Sequence, residues 1–492
     1  MTTDVRALGA LLDEAAARRG SSTVLRTDGG DLSYADLAAL VDQRAANLAA
    51  LGVGPGSRVG LSAANGPDFV VTVFAVLRLG AAVVMVSTAW REGEVAHALD
   101  LTRPTHIVHD GSGAVVFAAS PSRVVVHVDE LRSGGTASVR PADVDPDALA
   151  VMVFSSGTTG MPKAVRHTHR TMLEGTRHWV ETLGLTADDR LQIATPPFHI
   201  LGLLNLLAVV QAGASVRLHR RFDLDTVLRC IESDRVTIEM AVAPIALAIA
   251  AHPDLESFDL SSLRYIMWGA TPVTPAVANT ITRRSGVRVM GGYGASEVPV
   301  IAVNPVDRPH EWRLDSVGVP PTGVVVRVVD LESGAVLAAG ATGELQVLST
   351  SCMIGYLPET EAHATDDGWY RTGDVGSIDE HGWITITDRV KEMIKVNGFQ
   401  VAPAEIEAVL LEHDGVIDCA VFGMPHERTG EAVMAAVVVA HDVEVTADEL
   451  RQLVRSRLAS YKAVEDVLFL QQIPRLPSGK VLRRELQSNY RS

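Results

Sequence analysis

The scarcest charged residue in this 492-residue chain is lysine: of 43 basic residues only five are Lys, at positions 163, 391, 395, 462 and 480. Basic charge falls short as a whole, with 43 Lys and Arg against 59 Asp and Glu and a net charge of −16. That excludes a nucleic-acid or anionic-membrane binder, which needs cationic excess to displace phosphate counterions. Cysteine is sparse too. Cys230, Cys352 and Cys419 form no CxxC pair and cannot build a disulfide framework, so a reducing, cytoplasmic setting is expected. The opening residues MTTDVRALGA lack the basic-then-apolar run of a secretion signal. The most apolar stretches, near 69–86, 199–216 and 238–251, are interrupted by Arg78, by Asn205 and Gln211, or are too short, which argues against integral membrane association. GC-rich coding explains why arginine replaces lysine. It does not explain why all five lysines fall in or beside the motifs below, where a compact charge on a flexible stem suits phosphate or carboxylate contact.

The composition is 47% hydrophobic and 21% charged, ordinary for a globular chain of about three folding units. Residues 33–51 have helical apolar spacing ending at Gly52. A strand at 58–63, a buried helix at 67–79 and a strand at 81–87 follow. Further strands are expected at 236–242 and 263–269. Such alternation implies an α/β fold with mainly parallel sheets. From about 317 to 387 the strand-like runs 324–330 and 343–349 are separated by glycine-containing turns, giving a β-rich subdomain within an N-terminal domain of 1–387. Residues 383–389 form one more strand. Helices at 403–413 and 447–459 flank two apolar strands, so 388–492 reads as a small α+β C-terminal domain hinged near 388–392. There are no internal repeats.

The strongest motif is FSSGTTGMPKAVRHTHR at 154–170. A strand runs into a loop with four hydroxyl side chains, two glycines and Lys163, a cradle of backbone N–H groups and positive charge suited to phosphate. Its spacing is not that of a Walker P-loop. His167 and His169 lack further ligands at metal-binding spacing and read as structural.

This segment resembles the phosphate-binding loop of the adenylate-forming superfamily, which comprises acyl- and aryl-CoA synthetases, luciferases and nonribosomal-peptide adenylation domains. Further pieces follow in that family's order: PPFHILG (196–202), GGYGASE (291–297), WYRTGD (369–374), DRVKEMIKVNGFQVAPAEIE (388–407) and PRLPSGKVLRREL (474–486). The resemblance covers nearly the whole chain and is closest to acyl/aryl-CoA ligases. It implies ATP, Mg²⁺ and CoA as cofactors or cosubstrates, and a small domain that rotates between two half-reactions.

Roles follow on matching positions. Ser155, Ser156, Gly157, Thr158, Thr159, Gly160 and Lys163 would hold the phosphates. Gly292, Tyr293, Gly294 and Ser296 would meet adenine and the α-phosphate, with Glu297 as a hard oxygen ligand for Mg²⁺. Asp374 would take the ribose hydroxyls, with Arg389 as a second ribose or phosphate contact. His199 would orient the substrate carboxylate, and Lys480 would bridge that carboxylate and ATP. Lys391 would be the hinge, while Lys395, Gly398 and Phe399 would form the face used when thiol meets adenylate. Tyr461 and Lys462 stand where relatives contact the nucleotide end of CoA, although Ala463 and Val464 replace the usual basic residue and proline there. Leu201, Trp268, Gly269, Ala270 and Pro299 would line the acid pocket with Gly292 and Gly294.

A carboxylate is a poor electrophile, and attack on the α-phosphate of ATP with loss of pyrophosphate makes it a mixed anhydride. A thiol then displaces AMP. The expected activity is ATP-dependent acid–CoA ligation, and a Trp in the pocket favours a small or aromatic acid. The alternative is a stand-alone adenylating enzyme that loads a carrier-protein thiol or an amine, including activation of an acid as small as nitrite. A non-catalytic descendant is disfavoured, because the phosphate loop, Glu297 and Lys480 are all present.

Overall fold

The computed structural model describes residues 7–111, 123–133, 139–155, 162–269, 273–359, 364–396, 399–426, 428–440, 443–475 and 481–491. Two large sheets dominate the first part of the chain. The eight-stranded sheet runs, edge to edge, through Ala302–Val303, Val289–Tyr293, Tyr265–Trp268, Ile238–Ala241, Arg190–Ile193, Ser215–Leu218, Thr23–Arg26 and Leu32–Ser33. Its six inner strands are parallel, and each edge strand is antiparallel. The seven-stranded sheet orders Gly355–Leu357, Lys163–Thr168, Leu149–Ser155, Ala82–Met85, Arg58–Ser62, His106–His109 and Val124–His127. It is parallel except where Lys163–Thr168 pairs antiparallel with both of its neighbours.

Strand alternation sorts the side chains of both sheets into layers. Val83, Met85, Val151 and Val153 join Leu191, Ile193, Met240, Tyr265 and Met267 in one continuous cluster. The helices Tyr34–Ala50, Pro67–Arg78 and Ile200–Ala212 contribute to it. The intervening residues Val84, Met152 and Phe154 face helix Glu92–Thr102. Ile266 and Trp268 face the helices Leu224–Asp234, Ala243–Ala251 and Pro275–Ser285. Local signals set the helix ends. Ser33 closes a capping box with Asp36, Pro67 opens the buried helix at its first turn, and Gly213 ends Ile200–Ala212 at φ 75°.

Four antiparallel strands, Val324–Val329, Gly343–Ser349, Tyr370–Ile378 and Ile384–Arg389, make the β-rich part. The last strand sheet groups Phe399–Val401, Ile394–Val396, Gly430–Val439, Val416–His426 and Val464–Phe469. One face packs on Pro403–Leu410 and Ala447–Arg457, and the other on Leu486 of helix Arg483–Arg491. The chain is thus an α/β fold with parallel sheets, followed by a smaller α+β unit.

Candidate active site

Lys163 starts a strand that runs between Leu149–Ser155 and Gly355–Leu357, with Ser155 directly opposite it. That pairing sets Tyr356 across from Val165 and leaves the Lys163 ammonium 5.5 Å from the centre of the Tyr356 ring. The Tyr356 hydroxyl donates a 2.8 Å hydrogen bond to Glu297 Oε1. Glu297 is buried, and its own carbonyl accepts from Met353 N. Burial, then the Glu297 charge, raises the Tyr356 phenol far above its usual range and pushes the Cys352 thiol up to about 12. Both groups stay protonated. His167 ties it to the loop strand: fully buried, its Nε2–H donates to the Ser296 carbonyl at 2.7 Å, and its Nδ1 accepts from Thr171. Burial lowers its pKa to about 4, so it stays neutral, as a structural histidine should.

A second corner forms around Asp374. Register places Asp374 opposite Arg389, whose Nε donates to Oδ1 at 2.6 Å, while the Tyr293 hydroxyl donates to Oδ2. Both carboxylate oxygens are engaged. Burial works against the Arg389 charge, and Asp374 more than offsets it, so the guanidinium pKa rises. Burial and the same carboxylate hold the Tyr293 phenol protonated. Tyr370 joins the two corners: it lies on the strand Tyr370–Ile378 that also carries Asp374, and it hydrogen-bonds with Tyr356. Sequence reasoning passed over Tyr356 and Tyr370. Tyr370 stands inside the WYRTGD motif, the one signal that could have exposed it.

His199 is the exposed residue that opens helix Ile200–Ala212, with its ring 4.8 Å from that of Phe198. Leu201 follows, packed against the main cluster. Gly294 is an obligatory glycine. A Cβ on Gly294 would lie 2.2 Å from the backbone carbonyl oxygen of Pro299, which cannot give way, whereas one on Gly292 would lie 2.1 Å from Met267 Cε, the end of a flexible side chain that can move aside. Pro299 itself is buried, and Gly269 follows strand Tyr265–Trp268.

Trp268 requires a correction. Expected at the acid pocket, it is 1% exposed and sits in the cluster beneath the three helices on the far face. Alternation along the strand sends Trp268 away from Gly292 and turns its neighbour Met267 toward it. Buried on that far face, Trp268 sets no limit on the depth of an acid pocket.

The C-terminal lysines are differently placed. Lys391 is exposed in the turn after Ile384–Arg389. Lys395 is exposed, and its backbone N–H donates to Glu431 at 2.6 Å. Phe399 stacks on Tyr461 with centroids 4.5 Å apart, and the Lys462 ammonium donates to both oxygens of Glu405 at 2.6 Å. Asp388 accepts from Arg389 N and Ala404 N, and burial raises its carboxyl to about 6. Ser156, Gly157, Thr158, Thr159, Gly160, Ala270, Gly398 and Lys480 lie outside the described residues.

Among the described residues no cluster of three His, Cys, Asp or Glu could hold a metal by itself. Glu297 fits Mg²⁺ in another way. One buried carboxylate with Oε1 fixed by Tyr356 suits an ion that takes its remaining ligands from phosphate oxygens and water. No helix among the described residues is long and apolar enough to cross a membrane.

Comparison with known proteins agrees with this geometry. The AMP-binding enzyme model matches residues 12–357, and the AMP-binding enzyme C-terminal domain model matches 405–480. A feruloyl-CoA synthase from Amycolatopsis sp is 35% identical over 478 residues, covering 95% of this chain and 96% of the relative. A 4-coumarate–CoA ligase 3 from Oryza sativa subsp. japonica is 33% identical over 484 residues, covering 94% and 87%. The crystal structure of ATP-bound MatB from Rhodopseudomonas palustris superposes with a TM-score of 0.94 at 28% identity, covering 99% of each chain. Sheets, motifs and matches coincide along the whole length, and the chain belongs to the AMP-binding enzyme family.

Proposed function

We propose that this protein is an ATP-dependent, AMP-forming ligase that joins an aromatic carboxylic acid to the thiol of CoA through an acyl-adenylate. The observation that carries it is the joining of two corners. One has a cation and a buried carboxylate (Lys163 and Glu297), the other a doubly tethered carboxylate (Asp374), and Tyr370, on the Asp374 strand, hydrogen-bonds to Tyr356 of the first. Phosphates, a divalent ion and a ribose need those three kinds of group.

In this reading the Ser155–Gly160 segment and Lys163 hold the phosphates. Glu297 carries Mg²⁺, which when bound neutralises phosphate charge. The ribose hydroxyls displace donors from Asp374, and Arg389 remains beside the sugar. His199 orients the acid. Its carboxylate oxygen attacks the α-phosphorus, and pyrophosphate leaves while Lys480 bridges the reacting groups. The thiolate sulfur of CoA then attacks the acyl carbon and AMP leaves with the bonding pair. Two acceptor geometries in one site call for a rotating domain, so we divide the chain at 388, with Lys391 in the hinge and Lys395, Gly398 and Phe399 on the second face. Lys462 contacts CoA once released from Glu405.

The relatives named for coumarate and feruloyl substrates support an aromatic acid. So does the largely apolar setting of Leu201, Met267 and Pro299. The test is AMP and pyrophosphate release with ATP and Mg²⁺ over a panel of short, branched, aromatic and long acids plus nitrite, each with and without CoA, products identified by mass. An aryl-CoA formed with one AMP per turnover is the expected result. Best turnover with chains of twelve or more carbons would overturn the aromatic assignment. Turnover that ignores CoA would move the acceptor to a carrier protein or an amine.

A further inference from the structure

Asn205 carries a buried amide that the fold leaves half used. It lies on helix Ile200–Ala212, fully buried, one turn beyond Leu201 on the same face. Its Oδ1 accepts a 2.7 Å hydrogen bond from Trp179 Nε1, and its Nδ2 has no hydrogen-bond partner among the described residues. An indole N–H can only donate, so the amide orientation is settled: oxygen toward Trp179, the NH₂ left over. Trp179 in turn stands one turn along helix His169–Leu183 from Gly175. A Cβ on Gly175 would sit 3.4 Å from Pro299 Cγ, so this helix face lies against Pro299. Asn205 and Leu201 thus share one face of their helix, and Trp179 ties Asn205 to the helix that packs on Pro299. A buried donor without an acceptor is costly, and leucine would fill an apolar core position without that cost.

We propose that Asn205 is a specificity-determining residue whose Nδ2 donates to a neutral oxygen at the far end of the acid. This rests on the ligase reading above, with the acid carboxylate at His199. Asn205 is six residues further along the helix, about 9 Å at 1.5 Å per residue, so the recognised oxygen lies about that far from the carboxylate. An arylpropenoic acid with a para hydroxyl, methoxy or carbonyl oxygen has that reach. Trp179, Leu206 and Leu207 make the surroundings apolar, which disfavours a second carboxylate at the same place.

The experiment compares kcat/KM for AMP release with arylpropenoic acids that carry or lack the para oxygen, in the wild type, Asn205→Leu and Asn205→Ser. The wild type should favour the oxygenated acid by roughly 10- to 100-fold, since the other acid leaves the amide unpaired. Asn205→Leu should abolish that preference through loss on the oxygenated acid, and Asn205→Ser, a donor on a shorter arm, should keep part of it. A wild type indifferent to the para oxygen, or a preference unchanged in Asn205→Leu, overturns the proposal. Efficient turnover of non-aromatic acids alone would instead overturn the aromatic-acid reading beneath it.

Discussion

Glu239 provides a test of the fold's electrostatics away from the site. It lies on the central strand Ile238–Ala241 with no exposed surface. Its Oε2 accepts from Gln192 Nε2, and its Oε1 has no partner among the described residues. Gln192 is held in turn by His219 Nε2 at 2.8 Å. Burial raises the Glu239 pKa from 4.5 to about 8, the single hydrogen bond opposing it only in part. The folded state therefore keeps a proton that the unfolded state releases above pH 4.5. Stability from this group is fully present below that pH and declines as pH rises through about 8. At about 1.4 kcal/mol per unit, the decline reaches roughly 3 kcal/mol at pH 7. Glu239→Gln copies the protonated shape and removes the titration. Unfolding by urea, followed from pH 5 to 8.5, should give nearly equal stabilities for variant and wild type at pH 5 and a variant about 3 kcal/mol more stable at pH 7. Parallel curves over that range would refute the buried, proton-holding carboxyl.

Four further outcomes are expected. Tyr356→Phe leaves Glu297 Oε1 without its donor, so the Mg²⁺ concentration for half-maximal pyrophosphate release should change about tenfold while the melting temperature holds within a few degrees; unchanged Mg²⁺ dependence would detach Tyr356 from the site. Arg389→Gln frees Asp374 Oδ1 and should raise the KM for ATP about tenfold, with little effect on the KM for the acid. Lys480→Ala should abolish adenylate formation yet spare reaction of a supplied acyl-adenylate with CoA, and a bulky residue at Gly398 should do the reverse; equal loss of both steps in both variants would argue against domain alternation. His167 and His169 are held neutral by burial, with pKa values lowered from 6.5 to about 4. Their contribution is present above pH 6.5 and lost as pH falls through about 4. Replacing His167 with Gln should flatten the acid limb of the stability profile by about 2 kcal/mol at pH 5.

Much of this protein was legible in its residues, because local chemistry decided it. Ser33, Pro67 and the helix-ending glycines Gly184, Gly213 and Gly286 fix ends that neighbours in sequence can specify. The runs 58–63, 81–87 and 324–330 are strands for the same reason. Motif order placed Lys163, Tyr293, Glu297, Asp374 and Arg389 in a common task, and the fold does bring Tyr293, Asp374 and Arg389 into contact. Tertiary structure alone decided the rest. Tyr356 reaches Glu297 because strand Gly355–Leu357 pairs with a strand nearly two hundred residues earlier, which no local pattern encodes. The run VTIEMAV reads as apolar strand, yet whether Glu239 faces solvent, a partner or the interior depends on the helix packed over it. Met267 and Trp268 show the limit most plainly. A strand's period of two guarantees that they face opposite ways, but only the packing of a second layer on each face determines which of them meets Gly292.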